Sequence, residues 1–164
     1  MKKLLAAVLC LTLCVGFTAC GDDDDKENAS QLLGNWKTVE YTRVVKKGTE
    51  VLDDTHIINP TSQQSDKEDF PWEIVFEPTG GAWIWGYPNI NEWFDGYSFS
   101  NGILTILWDE EESDDVSKYR VTFNGGNEIT IDLSSRWDDE DLKYLFKGAT
   151  SIKESVRLVR DDED

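Results

Sequence analysis

Short stretches of alternating apolar and polar residues, separated by turn-forming residues, are the feature that most restricts the fold. Trp72, Ile74 and Phe76 alternate with Glu73 and Glu77. Such a period of two predicts a strand with one buried and one exposed face. The same pattern recurs in two later stretches, residues 118–123 and 129–134.

Turn signals between these stretches predict how the strands connect. Asn124-Gly125-Gly126-Asn127 and Asn101-Gly102 are rich in residues that tolerate positive φ, which favours hairpins and an antiparallel meander. Further strands are predicted near residues 36–45, 51–58, 82–87, 97–99, 103–108 and 155–160. With no sustained helical period, the pattern predicts an all-β fold, a small antiparallel up-and-down β-barrel of about eight strands, because closure removes unpaired edges.

Residues 135–148 fit two structures. Leu142, Leu145 and Phe146 stand at helical spacing, whereas Leu142, Tyr144 and Phe146 alternate as in a strand. We favour the strand, because the closing strand of the barrel needs an antiparallel neighbour. The polar runs 59–69 and 109–115 are predicted to be exposed loops.

The first 19 residues predict an export signal. Lys2 and Lys3 precede an apolar core, Leu4–Phe17, that is shorter than the ~20 residues of a membrane-spanning helix. Phe17-Thr18-Ala19-Cys20 resembles a lipobox, whose cysteine receives a diacylglycerol and becomes the new N-terminus. We therefore predict lipidation of Cys20, with a plain secreted form as the alternative.

Residues 20–30 are predicted to form an acidic, flexible tether. The four aspartates Asp22–Asp25 repel one another and keep the segment solvated. Acidic residues directly after a lipidated cysteine resemble the export signal of Bacteroidota-type surface lipoproteins. This implies an outer-membrane location at the cell surface, or at the periplasmic face. A generic charged linker and an engineered DDDDK protease site are the other interpretations.

Cysteine usage and charge exclude several classes of protein. Cys10 and Cys14 leave with the signal and Cys20 carries lipid, so the remaining 145 of 164 residues contain no thiol for a disulfide, a nucleophile or a metal site. The net charge of −17 becomes −19, because the signal contains two lysines and no acid. Such a surface repels nucleic acid and anionic lipid headgroups.

The start of the β-domain, Leu32-Leu33-Gly34-Asn35-Trp36-Lys37, resembles the opening motif of the lipocalins. In that family the tryptophan plugs the closed end of an eight-stranded barrel, and an arginine of the last strand lies across it. The resemblance implies a barrel-closing role for Gly34 and Trp36, together with Arg157 or Arg160. The whole layout resembles the lipocalin-like lipoproteins of the Bacteroidota: a barrel over residues 31–160, an acidic tail over residues 161–164, and a lipid anchor.

Few residues indicate catalysis. His56 is the sole histidine, and no G-x-S-x-G elbow or other nucleophile motif accompanies it. The acidic loop 109–115 lacks the spacing of a calcium-binding loop and is better explained as solvated. We expect no enzyme activity, no catalytic residue, no metal site and no cofactor.

Aromatic residues are the remaining excess. Trp83, Trp85, Trp93 and Tyr97 fall within fifteen residues. Inside the barrel they would line or fill a cavity, whereas outside it they would form a platform of the kind that holds sugar rings. Ordinary core packing is the third interpretation.

Together these patterns predict a lipid-anchored, non-enzymatic binding module of the cell envelope. Its ligand would be a small apolar molecule inside the barrel or a glycan on the surface between Trp83 and Tyr97. The alternative is a docking subunit with a filled barrel that contacts another outer-membrane protein. A cavity lined by tryptophans would favour the binding module; a packed interior with an exposed apolar patch would favour the docking subunit.

Overall fold

A computed structural model describes residues 29–87, 90–108 and 116–161. Within these ranges lie ten strands, two short α-helices and two single-turn 3₁₀ helices. The strands are β1 (Gly34–Lys47), β2 (Glu50–Ile58), β3 (Glu73–Phe76), β4 (Ala82–Tyr87), β5 (Ile90–Phe94), β6 (Gly96–Ser100), β7 (Ile103–Leu107), β8 (Val116–Phe123), β9 (Glu128–Asp132) and β10 (Ser151–Arg160). The helices are α1 (Ser62–Glu68) and α2 (Asp139–Leu145), and the 3₁₀ helices are Ser30–Leu32 and Ser134–Arg136.

All strand pairs are antiparallel, in the order β5-β4-β3-β1-β10-β9-β8-β7-β6, and β2 also pairs with β1. Glu40 pairs with Arg157 of β10 and with Ile58 of β2, while Trp36 pairs with Arg160 of β10 and with Ile74 of β3. Therefore β2 and β3 share the edge of β1 that faces away from β10. They run in the same direction and fill one barrel position, interrupted by α1.

A second barrel position is also shared by two segments. Only Asp95 separates β5, which pairs with β4, from β6, which pairs with β7. The two segments thus form one bent strand that joins the two ends of the sheet. The ten strands thus occupy eight positions of a nearly closed up-and-down barrel. This small, lipocalin-like all-β fold confirms the predicted fold class.

The core fills the inside of the barrel. Inward residues of neighbouring strands face each other in register, as Val156 and Leu158 of β10 do with Ile131 and Ile129 of β9. All four side chains are at most 2% exposed. Burying a side chain of this size contributes roughly 1.5–3 kcal/mol, so this interior is the main source of stability.

The strand favoured for residues 135–148 is wrong, because this segment contains a 3₁₀ turn followed by α2. Asp138 caps α2: its Oδ1 accepts hydrogen bonds from the backbone N–H of Glu140 (2.7 Å) and of Asp141 (2.8 Å). Such a cap satisfies amides that a helix start otherwise leaves unpaired. The closing strand β10 does not need this segment, since β1 and β9 already flank it.

The exposed loop predicted for residues 59–69 is also wrong, because most of it forms α1. Thr61 Oγ1 accepts from the backbone N–H of Gln64 (3.3 Å), and the Gln64 side chain accepts from the N–H of Thr61 (3.0 Å). The other predicted loop, residues 109–115, lies outside the described residues. Strand β5 was not predicted. None of the described helices is long and apolar enough to cross a membrane.

Candidate functional site

Trp36 near the start of β1 and Arg160 at the end of β10 are in contact. Trp36 is fully buried, and its Nε1 donates a hydrogen bond to the carbonyl oxygen of Leu32 at 2.6 Å. The guanidinium carbon of Arg160 lies 4.4 Å from the centre of the Trp36 ring. Arg160 Nη1 also donates to the carbonyl oxygen of Leu33, and Nη2 donates to that of Gln31 at 3.0 Å. One guanidinium therefore ties the indole to the 3₁₀ turn before β1.

Gly34 leaves room for this contact. Its φ is +108°, and a Cβ built at this position would lie 3.0 Å from Arg160 Nη1. The backbone conformation thus favours glycine, and a Cβ would crowd the arginine. Of the two arginines considered from the sequence, Arg160 is the one over the indole. Arg157 instead donates to Glu40 Oε2 (2.7 Å) and Glu128 Oε2 (3.0 Å), and its hydrogen bond lowers the pKa of Glu40.

A buried polar cluster around Glu154 lies farther along β1 and β10, away from Trp36. The Glu154 side chain has no solvent exposure. Its Oε2 accepts from Arg136 Nε (2.8 Å) and Trp137 Nε1 (2.6 Å), and its Oε1 accepts from Tyr41 Oη (2.5 Å) and Arg136 Nη2 (3.0 Å). Four donors compensate for the lost hydration of the carboxylate. Burial and the neighbouring Glu154 charge raise the pKa of Tyr41.

The segment from residue 59 to 72, here named the cover segment, is attached to this cluster. Phe70 is fully buried and stacks on the Tyr41 ring, with 4.2 Å between ring centres. Arg136 Nη2 donates to the carbonyl oxygen of Asp69 at 2.5 Å, and Arg43 pairs with Glu68 at 3.1 Å. Burial raises the pKa of Asp69. Sequence reasoning missed the cluster, although a glutamate at an inward position of β10, two residues before Val156, was a signal for it.

The described side chains leave only a small cavity in the interior beside the cluster. A narrow cavity of about 30 Å³ remains between apolar side chains, among them Ile84, Leu104, Ile106 and Ile131, and Arg136 lies on its wall. Sites for small ligands usually enclose roughly 300–1,000 Å³. The described interior therefore has room for a water-sized guest, and not for a fatty acid or a sterol.

Trp83 lies on the outer side of the barrel. Its neighbours along β4, Ala82 and Ile84, are buried, and because side chains alternate across a strand the half-buried Trp83 points the other way. In the backbone register Trp83 stands directly opposite Val75 of β3 and Trp93 of β5. Two tryptophans are therefore cross-strand partners at this place.

Tyr97 packs against the barrel and does not extend the outer surface around Trp83. Tyr97 is half-buried, its ring contacts Phe76 edge to face with 4.9 Å between centres, and its Oη donates to the carbonyl oxygen of Glu77 at 3.3 Å. It thus helps to hold the β3–β4 turn. The side chains of Trp85 and Trp93 and the whole of Cys20 lie outside the described part of the chain.

His56 lies on an open sheet face. Its side chain is 52% exposed, and Nε2 is 2.7 Å from Glu40 Oε1. Within the described ranges, no group of three or more histidine, cysteine, aspartate or glutamate side chains is arranged to hold a metal ion. Comparison of the chain with family models, with curated proteins and with solved structures found no significant match.

Proposed function

We propose that the chain is a lipid-anchored protein of the bacterial outer membrane whose barrel is a non-enzymatic binding module for a glycan. The sequence supports the location: a short export signal, the lipobox-like cysteine Cys20 and the acidic tether that follows it. The glycan binds on the outer face of the barrel around Trp83. The barrel serves as a rigid scaffold for that face.

The observation that carries this proposal is the combination of a filled interior with an outward tryptophan. The interior cavity beside the Glu154 cluster has a volume of about 30 Å³, which is too small for a ligand of ordinary size and favours a site on the outer face. Trp83 offers an indole on the outer face, and Trp93 is its partner across the strand pair. A flat indole packs against the C–H faces of a sugar ring while its edge hydrogen-bonds.

Tryptophan fluorescence tests the proposal. The purified protein is titrated with neutral oligosaccharides and, separately, with fatty acids, and the titrations are repeated with Trp83→Ala. Trp108→Phe is the matched control, because Trp108 lines the interior cavity. We expect a saturable response to an oligosaccharide that Trp83→Ala abolishes and Trp108→Phe leaves intact. A fatty-acid response that depends on Trp108 and not on Trp83 would place the ligand inside and contradict the proposal.

A docking subunit is the second candidate function, and strand β2 supports it. Among the described residues β2 pairs with β1 on one side only. It exposes Val51 (52%) and Ile58 (62%), which are large apolar side chains. An open strand edge with apolar side chains can add a strand from a partner protein.

A photo-crosslinking residue at Ile58 tests docking in intact cells. The matched control is the same residue at Tyr144, which is 86% exposed on α2. Docking through β2 predicts a discrete adduct of one size from position 58 and none from position 144. Adducts of equal yield from both positions would indicate random collisions and contradict docking through this strand.

A further inference from the structure

A groove crosses the outer face of the barrel over β1, β10, β9 and β8. It has a volume of about 500 Å³, far larger than the interior cavity. Its lining includes the hydroxyl groups of Thr42, Thr122, Thr130 and Ser155. The groove is separate from the face that bears Trp83, because β3 stands between β1 and β4 in the barrel.

Two cations line the groove, and neither has a bonded partner in the described part of the chain. Arg120 of β8 and Lys153 of β10 are both exposed, and neither forms an ion pair or hydrogen bond among the described residues. The chain carries 33 acidic against 16 basic residues, so neutralising partners are abundant. Arg120 is also exceptional among the arginines, since each of the others binds a carboxylate or a carbonyl oxygen: Arg43, Arg136, Arg157 and Arg160.

The acid directly across the strand pair does not neutralise Arg120. Asp132 is the direct cross-strand partner of Arg120, yet the two side chains are not within ion-pair distance. Asp132 Oδ1 instead accepts a hydrogen bond from the backbone N–H of Ser134 at 2.9 Å. Arg120 therefore keeps its planar set of donors available on the wall of the groove.

The spacing of the strands lets both cations reach one anionic group. Arg120 pairs with Asp132 of β9, and Asp132 pairs with Ser155 of β10, so β8 and β10 are two strand spacings apart, roughly 10 Å. Lys153 lies two residues before Ser155, about 7 Å along β10, so the Cα atoms of Arg120 and Lys153 are about 12 Å apart. Arginine and lysine side chains are long enough to meet across that distance. The fork of Arg120 suits a carboxylate, phosphate or sulfate, and Lys153 adds a point charge.

The rest of the lining suits a polyhydroxylated ligand. Thr42 Oγ1 and Ser155 Oγ lie 2.9 Å apart as a hydrogen-bonded pair, and Thr122 stands opposite Thr130 on β8 and β9. Asp132 adds a carboxylate that can accept from a sugar hydroxyl. We propose that this groove binds an acidic saccharide, with its carboxylate between Arg120 and Lys153 and its hydroxyls along the threonine and serine side chains.

Calorimetric titration of the purified protein with glucuronate tests the groove, with glucose as the neutral analogue and inorganic sulfate as the bare anion. Arg120→Gln and Lys153→Gln remove the two cations. Lys143→Gln is the control, because Lys143 is an exposed lysine of α2 that does not line the groove. We expect saturable glucuronate binding that each groove variant weakens about tenfold, since a charge-assisted contact is lost, while the control leaves it unchanged.

Four outcomes would overturn the assignment. Glucuronate fails to bind the folded protein, or Lys143→Gln weakens binding as much as Arg120→Gln does, which would reflect net charge alone. If glucose binds as tightly as glucuronate, the two cations do not contribute to recognition. If inorganic sulfate binds as tightly as glucuronate, the sugar hydroxyls do not contribute. None of these outcomes bears on Trp83, so the groove and the proposed function fail independently.

Discussion

Replacing Arg160 by methionine removes the guanidinium that lies over the Trp36 indole and keeps an apolar stem of similar length. In the protein this group lies 4.4 Å from the centre of the Trp36 ring and donates to the carbonyl oxygens of Leu33 and Gln31. The variant therefore loses a cation–π contact and two hydrogen bonds. The substitution does not leave a cavity in the core.

The size of the loss follows from the surroundings of each contact. The cation–π contact with a buried indole contributes about 1 kcal/mol. The bond to Leu33 contributes about 1–2 kcal/mol, because its donor is charged and the bond is partly buried, whereas Gln31 is exposed and water can replace the other bond. The free energy of unfolding should fall by about 2–3 kcal/mol.

Urea unfolding followed by tryptophan fluorescence measures this change. With a slope of about 2 kcal/mol per molar urea, the midpoint should fall by about 1–1.5 M. Arg157→Met is the matched control on the same strand, since its two ion pairs lie at a side chain that is 35% exposed and are each worth about 0–1 kcal/mol. Equal losses in the two variants would refute the role assigned to Arg160 over Trp36.

Three further predictions concern the Glu154 cluster and the cover segment. Glu154→Gln should lower the free energy of unfolding by about 3–5 kcal/mol, because the buried Arg136 loses its shorter ion pair and keeps only Asp69, 3.5 Å from Nη1; a loss below 1 kcal/mol in urea unfolding would contradict this. Phe70→Ala should cost about 3–5 kcal/mol by leaving a cavity against Tyr41, and a normal midpoint would show that the cover segment is not held there. Burial raises the pKa of Asp69 in the folded state above its value in the unfolded state. The protein therefore loses stability as the pH rises through the folded-state pKa, whereas below the unfolded-state pKa Asp69 is protonated in both states and costs nothing. Asp69→Asn, which tolerates the φ of 61°, should therefore melt higher than the wild type at pH 7 and equally at pH 3; the reverse order would contradict the burial argument.

The sequence predicts elements whose signal is local. Residues 72–77 and 129–134 alternate because one face of each strand meets the core, so their strands are visible without the fold. The segment 135–148 is different, since Leu142 and Phe146 fit both periods and the outcome depends on the cap formed by Asp138. Helix α1 has no apolar stripe, and buries Ser65 instead.

The Trp36 contact and the Glu154 cluster differ in the same respect, because only the first has a local signal in the sequence. Gly34 and Trp36 form a local motif, and the sequence also indicates an arginine of the last strand as their partner. The partners of Glu154 are Arg136, 18 residues before it, and Tyr41, 113 residues before it. Only the barrel topology brings these side chains together, so composition and spacing alone do not reveal the cluster.

In the proposed function the barrel binds a glycan on its outer face around Trp83 and holds no ligand in its interior. Nuclear magnetic resonance of the protein, titrated with the neutral oligosaccharides, tests this most directly. We expect a saturable shift of the Trp83 indole N–H, while the methyl signals of Leu104 and Ile106, which line the interior cavity, stay in place. Shifts of the Leu104 and Ile106 methyls with an unmoved Trp83 signal would contradict the proposed function.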